Sequence, residues 1–132
     1  MRSNRSRAPD PRDRGSAPVE FVLVGTLVLL LGLALVQLAL VLHVRSTLLS
    51  SAYEGARHAA QADRSLADGE ARAESLAADA LGGFVVDATA STGSVDGAAA
   101  VTVDVAAPMP VLGLWGPGTL HVQARAFDEA VP

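Results

Sequence analysis

The longest apolar stretch in the chain is a run of 22 uncharged residues, Phe21 to Leu42, and sixteen of them are leucine, valine or phenylalanine. A helix of that length reaches about 33 Å, which is enough to cross a hydrocarbon core of about 30 Å. These side chains favour insertion by about 5–10 kcal/mol, which outweighs the few glycine and polar residues within the run. Burial in a soluble core is disfavoured, because a chain of only 132 residues would have to enclose the whole run. The run therefore predicts one transmembrane helix.

The helical pattern continues beyond the apolar run, with no proline between residues 43 and 60. Apolar and small residues recur there at helical spacing on one stripe. The stripe consists of Val44, Leu48, Ala52, Gly55, Ala56 and Ala59. Small side chains allow another backbone to come close, so the stripe predicts helix packing, with Gly55 as a notch for a neighbouring subunit. Glu54 and Arg57 have a simpler interpretation as an exposed ion pair. We expect one helix over residues 16–60, half in lipid and half outside.

A second, shorter helix is predicted between two local signals. Ser65-Leu66-Ala67-Asp68 resembles a capping box in which Asp68 takes the place usually held by Glu or Gln. Gly82-Gly83 supplies a left-handed stop after Leu81.

The period then changes to two, which predicts half-buried strands. Valines alternate with polar residues over 101–105, and a similar alternation covers 120–126. A third, weaker strand is predicted over Phe84–Thr89. Residues 91–97 are predicted to form a turn region, and Pro108–Gly118, which contains Trp115, a longer loop.

These elements predict a membrane-anchored α+β protein. A long N-terminal transmembrane helix continues outside the bilayer and is followed by a short second helix and a small antiparallel sheet of two or three strands. The expected domains are a basic leader over residues 1–15, a helix over 16–60 with its membrane span at 21–42, and a small extracytoplasmic domain over 61–132. Such a small sheet is marginal by itself, so it should pack on the long helix or on a neighbouring subunit.

Charge gives the expected orientation. Residues 1–19 carry five arginines and two aspartates, a balance of +3, whereas residues 46–132 carry four arginines and eleven acids, a balance of −7. Positive charge keeps its flank of a membrane span in the cytoplasm. We therefore expect a single-pass protein of the cell membrane with a cytoplasmic N-terminus and an extracytoplasmic C-terminal domain. A basic arm for nucleic acid is the less favoured interpretation of the same arginines.

The sequence contains no catalytic or metal-binding signature. It has no cysteine, its three histidines are far apart, and no P-loop, Gly-x-Ser-x-Gly or dinucleotide fingerprint occurs. We therefore expect no enzyme activity, no cofactor, no metal site, no nucleic acid and no small-molecule substrate.

A short segment before the apolar run carries the most specific chemistry. Cleavage after Gly15 would make Ser16 the new N-terminus, one helical turn from Glu20. A carboxylate at the membrane edge is costly unless it is paired, and a free α-amine offers a partner of opposite sign. Alternatively, Glu20 is an interfacial acid that the helix dipole stabilises. The residues alone leave both interpretations open.

The segment Arg-Gly-Ser-Ala-Pro-Val-Glu-Phe before the apolar run, residues 14–21, resembles the N-terminus of TadE-like proteins, pseudopilins of the tight-adherence (Flp-type) pilus machinery. The resemblance continues in residues 52–60, Ala-Tyr-Glu-Gly-Ala-Arg-His-Ala-Ala. It implies that a prepilin peptidase cuts between Gly15 and Ser16 and that Glu20 supports processing or assembly. Pro18 departs from the usual pattern, in which small apolar residues are commoner near the cut.

The resemblance implies a minor pseudopilin or pilus-assembly protein of a type IV pilus-like bacterial secretion system. Its expected partners are the lipid bilayer, other pilin-like subunits and membrane platform proteins, with lateral packing through the long helix. The alternatives are a single-pass signal-anchor protein and a secreted binding domain unrelated to pili. The apolar run is long for the 7–15 residues of a signal-peptide core, and no A-x-A site follows it.

Overall fold

The computed structural model describes residues 15–109 and 118–128. Helices α1 (Ser16–Ala59) and α2 (Leu66–Ala80) are followed by strands β1 (Asp87–Val95), β2 (Ala98–Pro108) and β3 (Thr119–Phe127). The predicted α+β architecture is confirmed: a long N-terminal apolar helix, a short second helix and a three-stranded antiparallel sheet. Most of the leader, residues 1–14, and Trp115 lie outside the described residues.

The first turn of helix α1 contains a proline, which is tolerated at this position. Pro18 is the third residue of the helix, where its missing N–H costs no intrahelical hydrogen bond. The helix ends at Ala59, one residue before the predicted limit. Contacts divide the chain after Val36 into two compact units, so the first part of α1 and the domain beyond it are described separately.

The second unit has one hydrophobic core. It joins the last four turns of α1, two alanines of α2 and the inward face of the sheet. Leu48, Val101, Val103 and Val105 are its largest fully buried side chains. Valines at alternate positions of β2 point to one side of the sheet, as the period of two requires. The domain outside the apolar run therefore packs on the second half of α1, which agrees with the predicted dependence of the small sheet on the long helix.

The third strand differs from its prediction. We expected it over Phe84–Thr89 with a turn region from residue 91, but β1 begins at Asp87 and continues to Val95. Val95 pairs with Ala98, so the hairpin loop contains only Asp96 and Gly97, which have φ values of 52° and 85°. Positive φ at both positions is the geometry of a type I′ turn, for which Asp-Gly is a preferred sequence. The Ser, Thr and Gly residues before the turn therefore belong to the strand.

Helix α2 is closed at both ends as predicted. Ser65 Oγ accepts a hydrogen bond from the Asp68 N–H at 3.2 Å, and Asp68 Oδ2 accepts one from the Ser65 N–H at 2.9 Å. At the other end, the Gly83 N–H donates to the carbonyl of Ala78 at 2.8 Å. Gly82 and Gly83 have φ values of 70° and 88°, the left-handed conformation that glycine adopts at little cost.

Candidate functional site

The N-terminal candidate segment is open to solvent. Gly15 lies immediately before α1, Ser16 is the first helical residue, and Glu20 is the fifth. All three residues are exposed, and a Cβ added at Gly15 would meet no atom within 4 Å. The residues on both sides of the Gly15–Ser16 bond are therefore exposed among the described residues. The cleavage and the roles of Ser16 and Glu20 stay predictions.

Most large apolar side chains in the first half of α1 are exposed among the described residues. Phe21 is 79% exposed and Leu29 is 75% exposed. By length and composition, α1 is the one helix in the described part of the chain that is suited to crossing a membrane. Thr26, a polar residue within this half, donates its hydroxyl to the carbonyl of Val22 at 2.8 Å. That bond satisfies the hydroxyl inside the helix, as a lipid environment requires.

The surroundings of α1 change at Val44. Residues 15–43 are exposed or half-buried, whereas Val44 is 8% exposed and Leu48 is completely buried. This change falls just after the predicted end of the span at Leu42. The two halves of α1 therefore differ in surroundings at the position where the apolar run ends.

The small stripe on α1 packs within the chain. Ala52, Gly55, Ala56 and Ala59 are all buried. A Cβ at Gly55 would lie 2.7 Å from the carbonyl oxygen of Gly69 and 2.8 Å from the Cβ of Ala73, both on α2. The helix that meets Gly55 is thus α2 of the same chain, rather than the neighbouring subunit that we expected. The part of the stripe around Gly55 is therefore covered by α2.

Gly69 is the residue of this contact that the sequence analysis missed. A Cβ at Gly69 would lie 2.5 Å from the Cβ of Ala59 and 2.7 Å from the carbonyl oxygen of Gly55. Two glycines therefore bring the backbones of α1 and α2 into direct contact. The available signal was a glycine inside a helical pattern, which costs about 1 kcal/mol and usually has a packing reason.

Two further missed residues connect α2 to the sheet. Glu70 Oε1 accepts a hydrogen bond from the Ala90 N–H at 2.7 Å, and Glu74 Oε1 accepts one from the Ala88 N–H at 3.1 Å. The two glutamates are four residues apart, so they lie on the same side of α2. Both amides belong to β1, an edge strand, so the carboxylates cover part of that edge.

The expected Glu54–Arg57 ion pair does not form. Among the described residues, the one ion pair joins His121 Nδ1 and Asp104 Oδ1 at 3.8 Å, and both side chains are exposed. Arg57 instead lines a pocket with Tyr53 and Arg125.

The carboxyl group of Asp68, at the start of α2, has a shifted pKa. The hydrogen bond from the Ser65 backbone N–H, followed by that from the Ser65 hydroxyl, lowers the pKa of Asp68 below its ordinary value of 3.8. Arg64 and His58 add smaller favourable charge interactions. The residues that the structure describes gather no group of three His, Asp or Glu side chains that could hold a metal ion.

The geometry defines a protein with an exposed apolar helix half that is suited to a membrane and a small α+β domain built on the other half. Residues 15–57 match the family model described as TadE-like protein, which confirms the resemblance over almost all of α1. No curated protein and no solved structure matches the chain. The family match supports a function related to the tight-adherence pilus. The apolar helix is consistent with single-pass membrane anchoring.

Proposed function

We propose that this chain is a TadE-like pseudopilin or assembly protein of a tight-adherence pilus-like secretion system, held in the cell membrane by one helix. The observation that carries the proposal is the coincidence of the family match with α1. The match begins at Gly15 and ends at Arg57, and most large apolar side chains in the first half of that helix are exposed within the described chain. The function lies in anchoring and assembly rather than in catalysis.

The proposed orientation places the N-terminus in the cytoplasm and the α+β domain outside it. The balance of +3 in residues 1–19 against −7 in residues 46–132 supports this orientation. The absence of cysteine allows this location but does not favour it, and no disulfide helps the extracytoplasmic domain to fold.

We further propose that a prepilin peptidase cuts after Gly15 and that Glu20 pairs with a Ser16 α-amine, its own or that of an adjacent subunit. The exposure of Gly15 supports access by the peptidase. A carboxylate at the membrane boundary gains more from a cation than an exposed acid does, because water no longer solvates it fully. Glu20 is therefore the polar residue through which a cleaved N-terminus can affect assembly.

Lateral packing with pilin-like subunits and membrane platform proteins is assigned to the apolar half of α1. The small stripe from Ala52 to Ala59 is occupied by α2. Gly25 and Gly32 both lie beside open space, so a neighbouring helix can approach α1 closely at these positions. Van der Waals contact between helices drives such association in lipid.

N-terminal sequencing of the membrane-extracted protein tests the proposal. We expect a mature chain that begins at Ser16, and a Glu20→Ala variant that is cleaved or assembled at least tenfold less efficiently than the wild type. Glu54→Ala is the matched control, because it removes an exposed acid from the other half of the same helix. Loss of the whole apolar run would indicate a secreted domain, and an uncut chain a permanent signal anchor. Either result would contradict the proposed processing.

A further inference from the structure

The two outer edges of the sheet differ in whether side chains cover their backbone groups. The strand order is β1-β2-β3, so β1 and β3 each have one edge without a strand partner among the described residues. On β1, Glu70 and Glu74 bind the outward N–H groups of Ala90 and Ala88. These caps block strand pairing along the Ala88–Ala90 part of the β1 edge. The edge of β3 has no such cover in the part of the chain that the structure describes.

The hydrogen-bonding direction of β3 follows from the register. The N–H groups of Ala88 and Ala90 point away from β2, so their partners Val105 and Val103 direct their own backbone groups toward β3. Val122 and Ala124, which pair with those valines, therefore bond to β2.

The ladder itself supports this assignment. Asp128 lies an even number of residues from Val122 and Ala124, so its N–H should point the same way as theirs. It donates to the carbonyl of Ala99, a residue of β2, at 2.9 Å. The backbone N–H and C=O groups of His121, Gln123 and Arg125 consequently face outward along the free edge. This row of groups is a template for one more strand.

A groove between α1 and β3 lies beside that free edge. One part has a volume of about 320 Å³ and is lined by Tyr53, Arg57 and Gln61 on α1 and by Arg125 and Phe127 on β3, among others. The adjoining part is lined by Leu49, Tyr53 and Gln123, among others. Leu49, Tyr53 and Phe127 are 46%, 52% and 65% exposed, so this part of the domain keeps three large apolar side chains in water.

The groove is basic at one end. Arg57 and Arg125 line the same pocket, and no carboxylate lies within ion-pair distance of either guanidinium among the described residues. Arg125 donates to the side-chain oxygen of Gln123 at 3.1 Å, which is a neutral partner. Glu54 is the acid of the adjoining pocket. Unneutralised guanidinium groups favour carboxylates as ligands.

The same charges disfavour a second copy of β3 as the occupant. Strand β3 contains no aspartate or glutamate, so a second copy of it would offer no carboxylate to Arg57 or Arg125. The favoured occupant is therefore a segment of different sequence.

We propose that the free edge of β3 binds an extended, acidic segment of another protein by β-strand addition. The bound segment alternates apolar and acidic residues. Its apolar side chains lie over Leu49 and Tyr53 on the helix side, and its carboxylates meet Arg125 on the outer side and Arg57 at the end of the groove. Main-chain hydrogen bonds along the edge supply affinity, and the alternating pockets supply specificity. This inference concerns the α+β domain and does not rest on the proposed pilus function.

Peptide binding to the full-length protein in detergent tests the inference. The probe is a short labelled peptide in which valine and glutamate alternate, and the control peptide has lysine in place of glutamate. Fluorescence anisotropy should show that the glutamate peptide binds at least about tenfold more tightly than the lysine peptide. An Arg125→Glu variant should reverse this preference.

Proline substitution distinguishes β-strand pairing at the edge of β3 from nonspecific binding of the peptide. Gln123→Pro removes an outward N–H of β3 without removing a bond of the β2–β3 ladder, so binding should weaken at least about tenfold while the thermal unfolding transition remains. Thr92→Pro is the matched control, because residue 92 occupies the same outward position on β1. It should leave binding unchanged. Should Gln123→Pro fail to fold, N-methylation of the peptide removes the same hydrogen bonds from the other partner.

Four results would overturn the inference. The first is equal binding of the two peptides, and the second is binding that neither Gln123→Pro nor Arg125→Glu alters. The third is a failure of both peptides to bind, which would mean that Arg125 only prevents other strands from pairing with the edge of β3. Dimerisation of the wild type that Gln123→Pro abolishes would also overturn it, because a second copy would then occupy the edge.

Discussion

The two halves of α1 share one backbone and differ in what surrounds their side chains. Between Phe21 and Leu42 the helix is rich in leucine and valine, and these large side chains are mostly exposed. Between Val44 and Ala59 the inward residues are mainly alanine and glycine, and they are buried. Hydrophobicity alone therefore does not predict burial within the protein: large apolar side chains suit lipid, whereas small ones allow a second helix to approach.

Leucine truncation should give the largest difference between the halves. Leu48 is completely buried, so Leu48→Ala should lower the free energy of unfolding of the α+β domain by about 2–5 kcal/mol. Leu29 is 75% exposed, so Leu29→Ala should change the free energy of unfolding of this domain by less than about 0.5 kcal/mol. Denaturant unfolding of the detergent-solubilised chain, followed by hydrogen exchange in β2, measures both. Equal effects would mean that α1 packs along its whole length.

Glycine substitution sharpens the same comparison. Gly55→Ala places a Cβ against the backbone of α2, so it should destabilise the domain by about 1–3 kcal/mol. Gly32→Ala is the matched control, because no atom lies within 4 Å of its new Cβ. Alanine there should leave the stability of the domain unchanged. A tolerated Gly55→Ala, measured by the same unfolding experiment, would argue against direct contact between α1 and α2 at this position.

The carboxylate caps on β1 predict a smaller effect. Glu70→Ala removes the 2.7 Å acceptor of the Ala90 N–H, so stability should fall by about 1 kcal/mol and exchange of that amide should accelerate. Glu54→Ala, which removes an exposed acid from α1, is the control and should leave Ala90 exchange unchanged. Unchanged exchange in Glu70→Ala would show that this carboxylate does not protect the edge of β1.

The smallest expected effect is a pH dependence at the start of α2. The pKa of Asp68 is lower in the folded chain than its ordinary value of 3.8, so its contribution to stability is present above about pH 3.8 and is lost as the pH falls through the folded pKa. An NMR titration of the Ser65 amide should show this loss. Asp68→Asn should not show it, and an identical titration of that variant would exclude the capping carboxylate as its origin.

Much of the helical structure was predictable because its signals are local. The apolar run, the Ser65–Asp68 capping box and the Gly82-Gly83 stop each depend on residues that are neighbours in sequence. The valines of β2 and the alternation of β3 also gave clear patterns. By contrast, β1 contains small and polar residues over most of its length, so its alternation was weak and its Asp96-Gly97 turn was interpreted as part of a loop.

The contacts of the candidate sites were less predictable because they are not local. The small residues around Gly55 predict close helix packing, but no local pattern shows that α2 packs there through Gly69. Glu70 and Glu74 look like ordinary exposed acids until the fold brings β1 beside them. The sites at Gly15, Ser16 and Glu20 rest on the resemblance to TadE-like proteins, which the family match supports over residues 15–57.

The central claim is that lipid covers the apolar half of α1 and water surrounds the α+β domain outside the cytoplasm. The chain has no cysteine, so single cysteines can be placed at Leu29 and at Ser50, both exposed residues of α1, and treated with a membrane-impermeant maleimide on intact cells. We predict that Ser50→Cys is labelled and that Leu29→Cys stays unlabelled until detergent is added. Labelling of both in intact cells, or of Ser50→Cys only after the membrane is permeabilised, would contradict the account.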